Sequence, residues 1–247
     1  MEQALYQSRR ERLMQHMQEG IAILATAPEV ARNRDTHYPY RPDSYFYYLS
    51  GFAEPEAVLV LVGGAAPRSI LFCREKNIER EIWDGFRFGP DAAREQFGFD
   101  EAYSIALLDE KLPQLMANQP RLAYAVGSDA AWDARVLAWL AAVRAQARSG
   151  TAAPEEIVDF RRWLDEMRLI KDAHETAIMR RAGEISSAAH LRAMRHCLPG
   201  KHEYEIESEL LHEFVRHGAR HPAYTSIVAG GANACVLGGF TVGEGAR

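Results

Sequence analysis

The sequence predicts an α/β domain over residues 1–150, followed by an incomplete α+β domain over residues 160–247. Through residue 148, short apolar runs typical of strands alternate with windows in which apolar residues recur every three or four positions, as in helices. A segment of small and polar residues at 148–154 then separates this part from longer helical patterns. The change of pattern at this segment is the reason for placing a domain boundary there.

The first helix is predicted from its start signal and its apolar face. Ser8 and Glu11 form the S-x-x-E pattern of a capping box, in which each side chain accepts a hydrogen bond from the other residue's backbone. Leu13, Met14 and Met17 follow on one helical face. We therefore expect an amphipathic helix that opens at Ser8.

Strands are predicted where apolar residues form short uninterrupted runs. Residues 21–24, 58–62 and 69–73 are such runs, and glycines together with Pro67 separate the last two, which indicates a hairpin. Farther along, helical windows alternate with short strand candidates, the helices at 92–97, 110–118 and 129–148 and the strands at 102–105 and 122–126. This alternation is the basis for the α/β class.

After the connector the sequence predicts two helices and a second hairpin. Asp172 and Glu175 form another capping-box pattern, which opens a long helix. A further helix is predicted at 203–217 from apolar residues one turn apart. Residues 224–229 and 234–237 are expected to form strands on either side of a glycine-rich turn.

Composition excludes several classes of partner. Lysine and arginine number 29 against 34 acidic residues, the formal net charge is −5, and like charges form no block, so nucleic acid and membrane surfaces are not expected partners. No apolar stretch has the length of a signal peptide or a membrane span, so we expect a cytoplasmic protein. Cys73, Cys197 and Cys235 lie far apart, outside any metal-ligand spacing, and we expect them to be small buried side chains.

One helical segment is similar to a zinc-binding motif but has the wrong spacing. His212, Glu213 and His217 approximate the H-E-x-x-H pattern, in which two histidines four residues apart share a helical face. Here the histidines are five apart, which rotates the second imidazole off that face. We therefore expect ordinary polar and helix-terminal roles for both histidines.

Two segments concentrate aromatic and charged side chains. Residues 33–49 contain two prolines and six aromatic residues, which is consistent with a loop that leads into an aromatic strand, or with a stiff surface offered to a neighbouring subunit or substrate. Residues 81–89 place Trp83 beside a charged turn with two glycines, where the tryptophan is either a core residue or part of a site. The residues by themselves leave both alternatives open for each segment.

The same segments resemble a known family. Matching motifs occur in the same order as in the Xaa-Pro aminopeptidase (aminopeptidase P) family, a branch of peptidase family M24, at residues 38–57, 81–89, 166–171, 181–185 and 217–224. The first two motifs are long and specific, and the match as a whole covers the chain from the first helix to Leu237. Matches in this order favour a relationship to the family over chance similarity.

The resemblance implies a creatinase-like first domain and a "pita-bread" second domain that begins near Phe160. It implies that the complete enzyme acts on peptides with proline in the second position, through two manganese ions held by carboxylates and a histidine. It also implies a homo-oligomer formed through the N-terminal domain. Two substrate-binding residues follow by matching motif: Trp83, which in the family reaches a neighbouring subunit's active site, and Tyr224, which lies in the substrate pocket.

The last residues depart from the family pattern. After residues 235–237 the family continues with a histidine and then the first metal ligand, whereas here Gly238 and Gly239 follow. Glu244 is the only acidic residue after Glu213, so we expect no metal ligand and no catalytic residue in this chain. The expectation is a truncated Xaa-Pro aminopeptidase that binds no manganese and is inactive by itself. The alternative is a non-catalytic oligomerisation or binding module that pairs with itself or with full-length subunits.

Overall fold

The computed structural model describes residues 2–235, which form helices, a mixed sheet and a small ribbon. In chain order the strands are β1 (Ile21–Ala25), β2 (Ala31–Asn33), β3 (Thr36–His37), β4 (Val58–Val62), β5 (Arg68–Cys73), β6 (Glu101–Ser104), β7 (Arg121–Ala123) and β8 (Glu156–Val158). The helices are α1 (Glu2–Met17), α2 (Ser44–Ser50), α3 (Ile78–Asp84), α4 (Gly89–Phe97), α5 (Leu108–Met116), α6 (Ala130–Arg144), α7 (Arg161–Leu169), α8 (Ala173–His196) and α9 (Glu203–Arg216). Short 3₁₀ turns occur at Ile105–Leu107, Ala147–Ser149 and Gly231–Cys235.

Contacts divide the chain into two compact units, Met1–Leu169 and Ile170–Arg247. Strand β8 pairs in parallel with β7, and side chains of α7 join the core of the first unit. Residues 156–169 therefore belong with the first unit by contact. The domain bounds 1–150 and 160–247 stay predictions from the sequence.

The main sheet of the first unit is mixed. Among the described residues its strands follow the order β6-β5-β4-β1-β7-β8. The pairs β1–β4 and β4–β5 are antiparallel, and the pairs β5–β6, β1–β7 and β7–β8 are parallel. The hairpin predicted from residues 58–62 and 69–73 is confirmed by the β4–β5 pairing, which sets Val60 opposite Ile70. A mixed sheet flanked by helices confirms the α/β class of this unit.

Helices cover both faces of this sheet, which explains the uninterrupted apolar runs. Side chains alternate along β4, so Leu59 and Leu61 enter one core cluster while Val58 and Val60 enter the other. The first cluster includes buried residues of α1, α2 and α7, and the second includes residues of α5 and α6. Every residue of β4 is buried, as in strands covered on both sides.

A buried arginine connects three helices over one face of the sheet. Arg10 on α1 is 1% exposed, and its guanidinium donates to the carbonyl of Leu49 at 3.1 Å, to the carbonyl of Phe97 at 3.1 Å and to that of Gly98. These acceptors lie at the C-terminal ends of α2 and α4, where unpaired carbonyls concentrate negative partial charge. Burial lowers the pKa of Arg10 to about 10, so the side chain remains charged at neutral pH.

The start of α1 differs from the prediction. The helix begins at Glu2, which places Ser8 and Glu11 in its interior instead of at a cap. The apolar face is as expected, since Leu13, Met14 and Met17 are buried. The S-x-x-E pattern was misleading here because residues before it also continue the helix.

The aromatic run is a helix, so the predicted aromatic strand is wrong. The Asp43 carboxylate accepts hydrogen bonds from the backbone N–H groups of Tyr45 and Phe46, both at 2.9 Å, and so caps the start of α2. Gly51 ends the helix with a φ of 64°, and its Cα faces the ring of Tyr6 so closely that a Cβ would lie 2.4 Å from it. The local cap and stop outweigh the strand preference of the aromatic side chains.

Two of the three cysteines also differ from expectation. Cys73 is buried in the first unit, whereas Cys197 and Cys235 are exposed. Burial raises the pKa of the Cys73 thiol to about 12, which keeps it protonated and unreactive. Cys197 directly follows α8 and is exposed where the chain leaves the helix.

In the second unit the helices are confirmed and the hairpin is wrong. Asp172 and Glu175 form the predicted capping box at the start of α8, and α9 ends one residue before the predicted His217. Residues 224–229 form no strand in the described chain, and residues 231–235 form a 3₁₀ turn. The remainder of the second predicted strand, 236–237, lies outside the described residues. A strand is stable only when a neighbour satisfies its backbone groups, and residues 170–235 contain no such neighbour.

We predict that Arg10→Met lowers the free energy of unfolding by about 3 kcal/mol, because methionine fills the space but leaves buried carbonyls of α2 and α4 unpaired. Urea unfolding of the whole chain, followed by tryptophan fluorescence, measures the change. Arg12→Met on an exposed face of α1 is the matched control and should change the value by less than about 0.5 kcal/mol. Equal effects of the two substitutions would contradict the role of Arg10.

Candidate substrate and partner surfaces

Trp83 lies on a short helix that projects its apolar residues into solvent. Its side chain is 85% exposed, and Ile78, Ile82 and Phe86 around it are also exposed. No residue of α3 is buried. The alternative in which Trp83 is a core residue is therefore wrong, and the four side chains form an exposed apolar patch, called the α3 patch below.

Polar groups define both ends of α3. The Asn77 side chain accepts a hydrogen bond from the backbone N–H of Arg80 at 3.0 Å and so caps the first turn. Gly85 ends the helix with a φ of 86°, a conformation that costs other residues strain. After the helix, Phe88 packs against Phe52 and Phe97 with ring centroids 6.0 and 5.2 Å apart. The patch is thus joined to the core through Phe88.

Tyr224 lines an apolar groove in the second unit. The groove has a volume of about 430 Å³ and lies between α8, α9 and residues 219–228, with Ile185, Leu210 and Phe214 in its wall. Tyr224 is 77% exposed, so its ring is available to a ligand or partner. The groove has the apolar lining that binding sites for aromatic side chains commonly have.

A glutamate holds the groove's irregular segment to α9. Glu203, in the first turn of α9, accepts hydrogen bonds from the backbone N–H of Gly230 at 2.7 Å and from the Asn233 side chain at 3.0 Å. These two hydrogen bonds lower the pKa of the Glu203 carboxyl. The segment is ordered by a side-chain contact in place of the strand pairing that the sequence suggested.

The described residues do not fit a two-metal centre. Within residues 2–235 no group of three or more histidine, cysteine, aspartate or glutamate side chains is arranged to hold a metal ion. On α9 the Nδ1 atom of His217 lies 3.0 Å from the backbone oxygen of Glu213 and 3.3 Å from its Oε1 atom, and a Glu213 oxygen lies 4.0 Å from Arg192. Glu213 is occupied by these charged and polar neighbours.

The first unit also has a concavity that the sequence did not predict. It measures about 330 Å³ and lies at the carboxyl ends of β1 and β7, beside Tyr45, Tyr124 and Trp132. Donation of the Tyr45 hydroxyl to Asp165 at 2.6 Å raises the pKa of Tyr45, and burial together with donation to Asp133 raises that of Tyr124. Both phenols are therefore neutral hydrogen-bonding groups. The signal was available, since ligands of α/β sheets often bind where parallel strands end.

Two family models match the chain in sequence order. The model for the N-terminal domain of aminopeptidase P matches residues 6–124, and the model for metallopeptidase family M24 matches residues 177–245. Over 235 residues the chain is 44% identical to a Xaa-Pro aminopeptidase of Escherichia coli. The chain is similar to the aminopeptidase P family over both of these regions. The first unit matches the N-terminal, creatinase-like domain of that family, and the second matches part of a metallopeptidase domain.

Relatives and solved structures agree with each other. The Xaa-Pro aminopeptidase of Haemophilus influenzae is 41% identical over 94% of this chain. A zinc-substituted aminopeptidase P of Escherichia coli in complex with product matches 96% of the chain with a TM-score of 0.93 at 43% identity. Proline aminopeptidase P II of Yersinia pestis matches the same share with a TM-score of 0.92 at 47% identity.

The chain spans about half the length of the proteins that it matches. It covers 53% of the Escherichia coli relative, 52% of the Haemophilus influenzae relative and 55% of each of these two structures. Among the described residues, no helix combines the length and apolar composition needed to cross a bilayer. Trp83 and Tyr224 each lie within a region that a family model matches.

We predict that Trp83→Ala changes the free energy of unfolding by less than about 0.5 kcal/mol, because the indole is in solvent and leaves no cavity when removed. Phe88→Ala should cost about 3 kcal/mol, because its ring packs between Phe52 and Phe97. Urea unfolding of the two variants and the parent chain makes the comparison. A large loss for Trp83→Ala would mean that the α3 patch belongs to the core.

Proposed function

We propose that this chain provides the N-terminal domain and part of the catalytic domain of a Xaa-Pro aminopeptidase, an enzyme that removes the N-terminal residue preceding proline. The observation that supports this most strongly is the 44% identity with the Escherichia coli enzyme over 94% of the chain. The substrates are peptides with proline in the second position. Tyr224, exposed in its apolar groove, is the described residue best placed to contact such a peptide.

We propose that this chain supplies none of the metal ligands of the complete enzyme. Metallopeptidase family M24 implies a divalent metal cofactor, and we propose manganese for the complete enzyme. Residues 2–235 offer no group of ligands that fits such a metal. The contribution of these residues is therefore binding and positioning, and we propose that the 247-residue polypeptide does not hydrolyse Xaa-Pro bonds by itself.

We expect no release of the N-terminal residue when the purified 247-residue polypeptide is mixed with manganese and a short peptide that has proline in the second position. The reason is the lack of a ligand group in residues 2–235, with Glu244 as the sole acid in residues 236–247. Liquid chromatography of the released amino acid over time measures the reaction, with the Escherichia coli Xaa-Pro aminopeptidase as the positive control.

Turnover that survives further purification would overturn this expectation. If His217→Ala or His221→Ala then abolished it, these histidines with His212 and Glu213 would be the source of a metal site. Metal analysis of the purified protein after dialysis against manganese provides an independent reading. Bound manganese in a stoichiometric amount would contradict the proposal even without turnover.

A second candidate function is self-association through the first unit, and the α3 patch favours it. Ile78, Ile82 and Trp83 are each at least 75% exposed, which is unusual for large apolar side chains on a surface with no partner. Tryptophans in such patches often supply much of the binding energy of an interface. The occupant we propose is a second copy of this chain, whose groove beside Tyr224 has the apolar lining that an indole ring requires.

Trp83→Glu should weaken self-association of the chain at least tenfold, since it replaces an apolar anchor by a charge that an apolar groove cannot solvate. Sedimentation equilibrium over a range of concentrations measures the association constant. Leu137→Glu, at another exposed apolar position of the first unit, is the matched control and should leave the constant unchanged. A parent chain that stays monomeric at all concentrations would reject self-association through this patch.

A further inference from the structure

The α3 patch poses a physical problem, because a helix with no buried residue has little to hold it in place. Helix α3 spans seven residues, far fewer than an isolated helix needs to be stable in water. The apolar side chains of α3 itself, Ile78, Ile82 and Trp83, are 75–85% exposed and lie outside both core clusters. Contacts at the two ends of the segment must therefore fix its position.

One carboxylate contacts both ends of this segment. Glu54 is only 9% exposed, although most glutamates lie in solvent. Its Oε1 atom accepts a hydrogen bond from the backbone N–H of Phe88 at 2.7 Å, and its Oε2 atom lies 3.4 Å from the Arg74 guanidinium. Arg74 directly follows β5 and precedes α3, whereas Phe88 follows α3 and precedes α4. The two oxygens thus join the point where the chain leaves the sheet to the point where it returns.

The burial of this ion pair makes its geometry persistent. The side chains of Glu54 and Arg74 are each 11% exposed, so water competes little for their charges. A buried charge that loses its partner is strongly unfavourable, which favours arrangements that keep the pair together. An exposed ion pair would hold the segment far less firmly.

A lysine side chain also connects the residues before α3 to those after it. The Lys76 ammonium donates to the backbone carbonyl of Arg87 at 2.9 Å, lies 3.0 Å from a Glu81 oxygen and stands 4.0 Å from the centroid of the Phe86 ring. Lys76 is about half exposed, so this contact is more accessible to water than the one made by Glu54. Two side chains, Glu54 and Lys76, therefore connect the ends of the α3 segment, and the contacts of Glu54 are the more buried and the less screened by solvent.

We propose that Glu54 is a positioning residue that holds the Trp83 helix in its projecting orientation, ready to dock on a second copy of the chain. The docking role rests on the function proposed above, whereas the positioning is a property of the single chain. Through its contacts with Arg74 and Phe88, Glu54 limits the motion of α3 and so reduces the ordering that docking would otherwise require.

Hydrogen exchange of the whole, dilute chain, followed by mass spectrometry, tests the positioning. In Glu54→Gln the amide oxygen still accepts from Phe88, but the charge that faces Arg74 is lost. We expect exchange over residues 76–88 to become at least tenfold faster, while β4 and β5 keep their rates. Glu56→Gln, an exposed glutamate two residues away, is the matched control and should exchange like the parent chain.

A double-mutant cycle identifies the partner of Glu54. Arg74→Met leaves the carboxylate without its cation and should accelerate exchange over residues 76–88 as well. If the two groups act as a pair, the doubly substituted chain should exchange more slowly than the product of the two single effects predicts. Independent effects, unchanged exchange in Glu54→Gln, or equal acceleration in β4 and β5 would each overturn the proposal.

Sedimentation equilibrium of the same variants separates this inference from the docking role. Faster exchange in Glu54→Gln with a weakened association constant supports both. Faster exchange with an unchanged constant rejects the docking role of the α3 patch and leaves the positioning supported. A weakened constant with unchanged exchange rejects Glu54 as a positioning residue.

Discussion

The buried guanidinium of Arg10 is the constraint on which one face of the first unit depends. A single charged group satisfies carbonyls at the C-terminal ends of both α2 and α4, and it can do so only when α1 lies at a fixed position across them. Helix dipoles make this arrangement favourable because the carbonyl ends of helices attract cations. Phe99 stacks beneath the guanidinium at 4.4 Å and excludes water from it. The position of three helices is thereby coupled to one side chain.

The same constraint reaches the projecting helix α3. Glu54 lies four residues beyond α2, and Phe88 directly precedes α4, so both partners of the Glu54–Phe88 hydrogen bond adjoin helices that Arg10 contacts. A patch whose side chains are largely exposed can be held in place because Glu54 and Arg74 beneath it are buried. The apolar side chains of the α3 patch face solvent, whereas the charged groups of Glu54 and Arg74 are buried beneath it. An interface that forms on such a patch requires little ordering of the chain.

Prediction from the sequence succeeded for the start of α8 and for the β4–β5 hairpin, and failed for the aromatic helix α2 and for residues 224–229. Asp172 and Glu175 lie three residues apart and satisfy each other's backbone groups, so the start of α8 was predictable. The β4–β5 hairpin was predictable from two apolar runs and a turn. The aromatic residues 45–48 favour a strand by propensity, yet the Asp43 cap and Gly51 stop make them a helix. Residues 224–229 have a strand-like pattern but no partner among the described residues of their unit. Trp83 and Tyr224 were proposed as site residues from motifs, and their exposure was not predictable from those motifs.

The sequence by itself determined the family, the α/β class of the first unit, the apolar runs of the sheet and the lack of a metal-binding motif on α9. These depend on residue type and spacing, which the chain displays directly. Only the tertiary structure decided that Trp83 lies in solvent, that Cys197 is exposed, and that Glu54 is buried between Arg74 and Phe88. Burial and pairing of a charge depend on groups 20 to 34 residues away in the chain. No local pattern records such partners, because the free energy of a buried charge is set by whatever the fold places beside it.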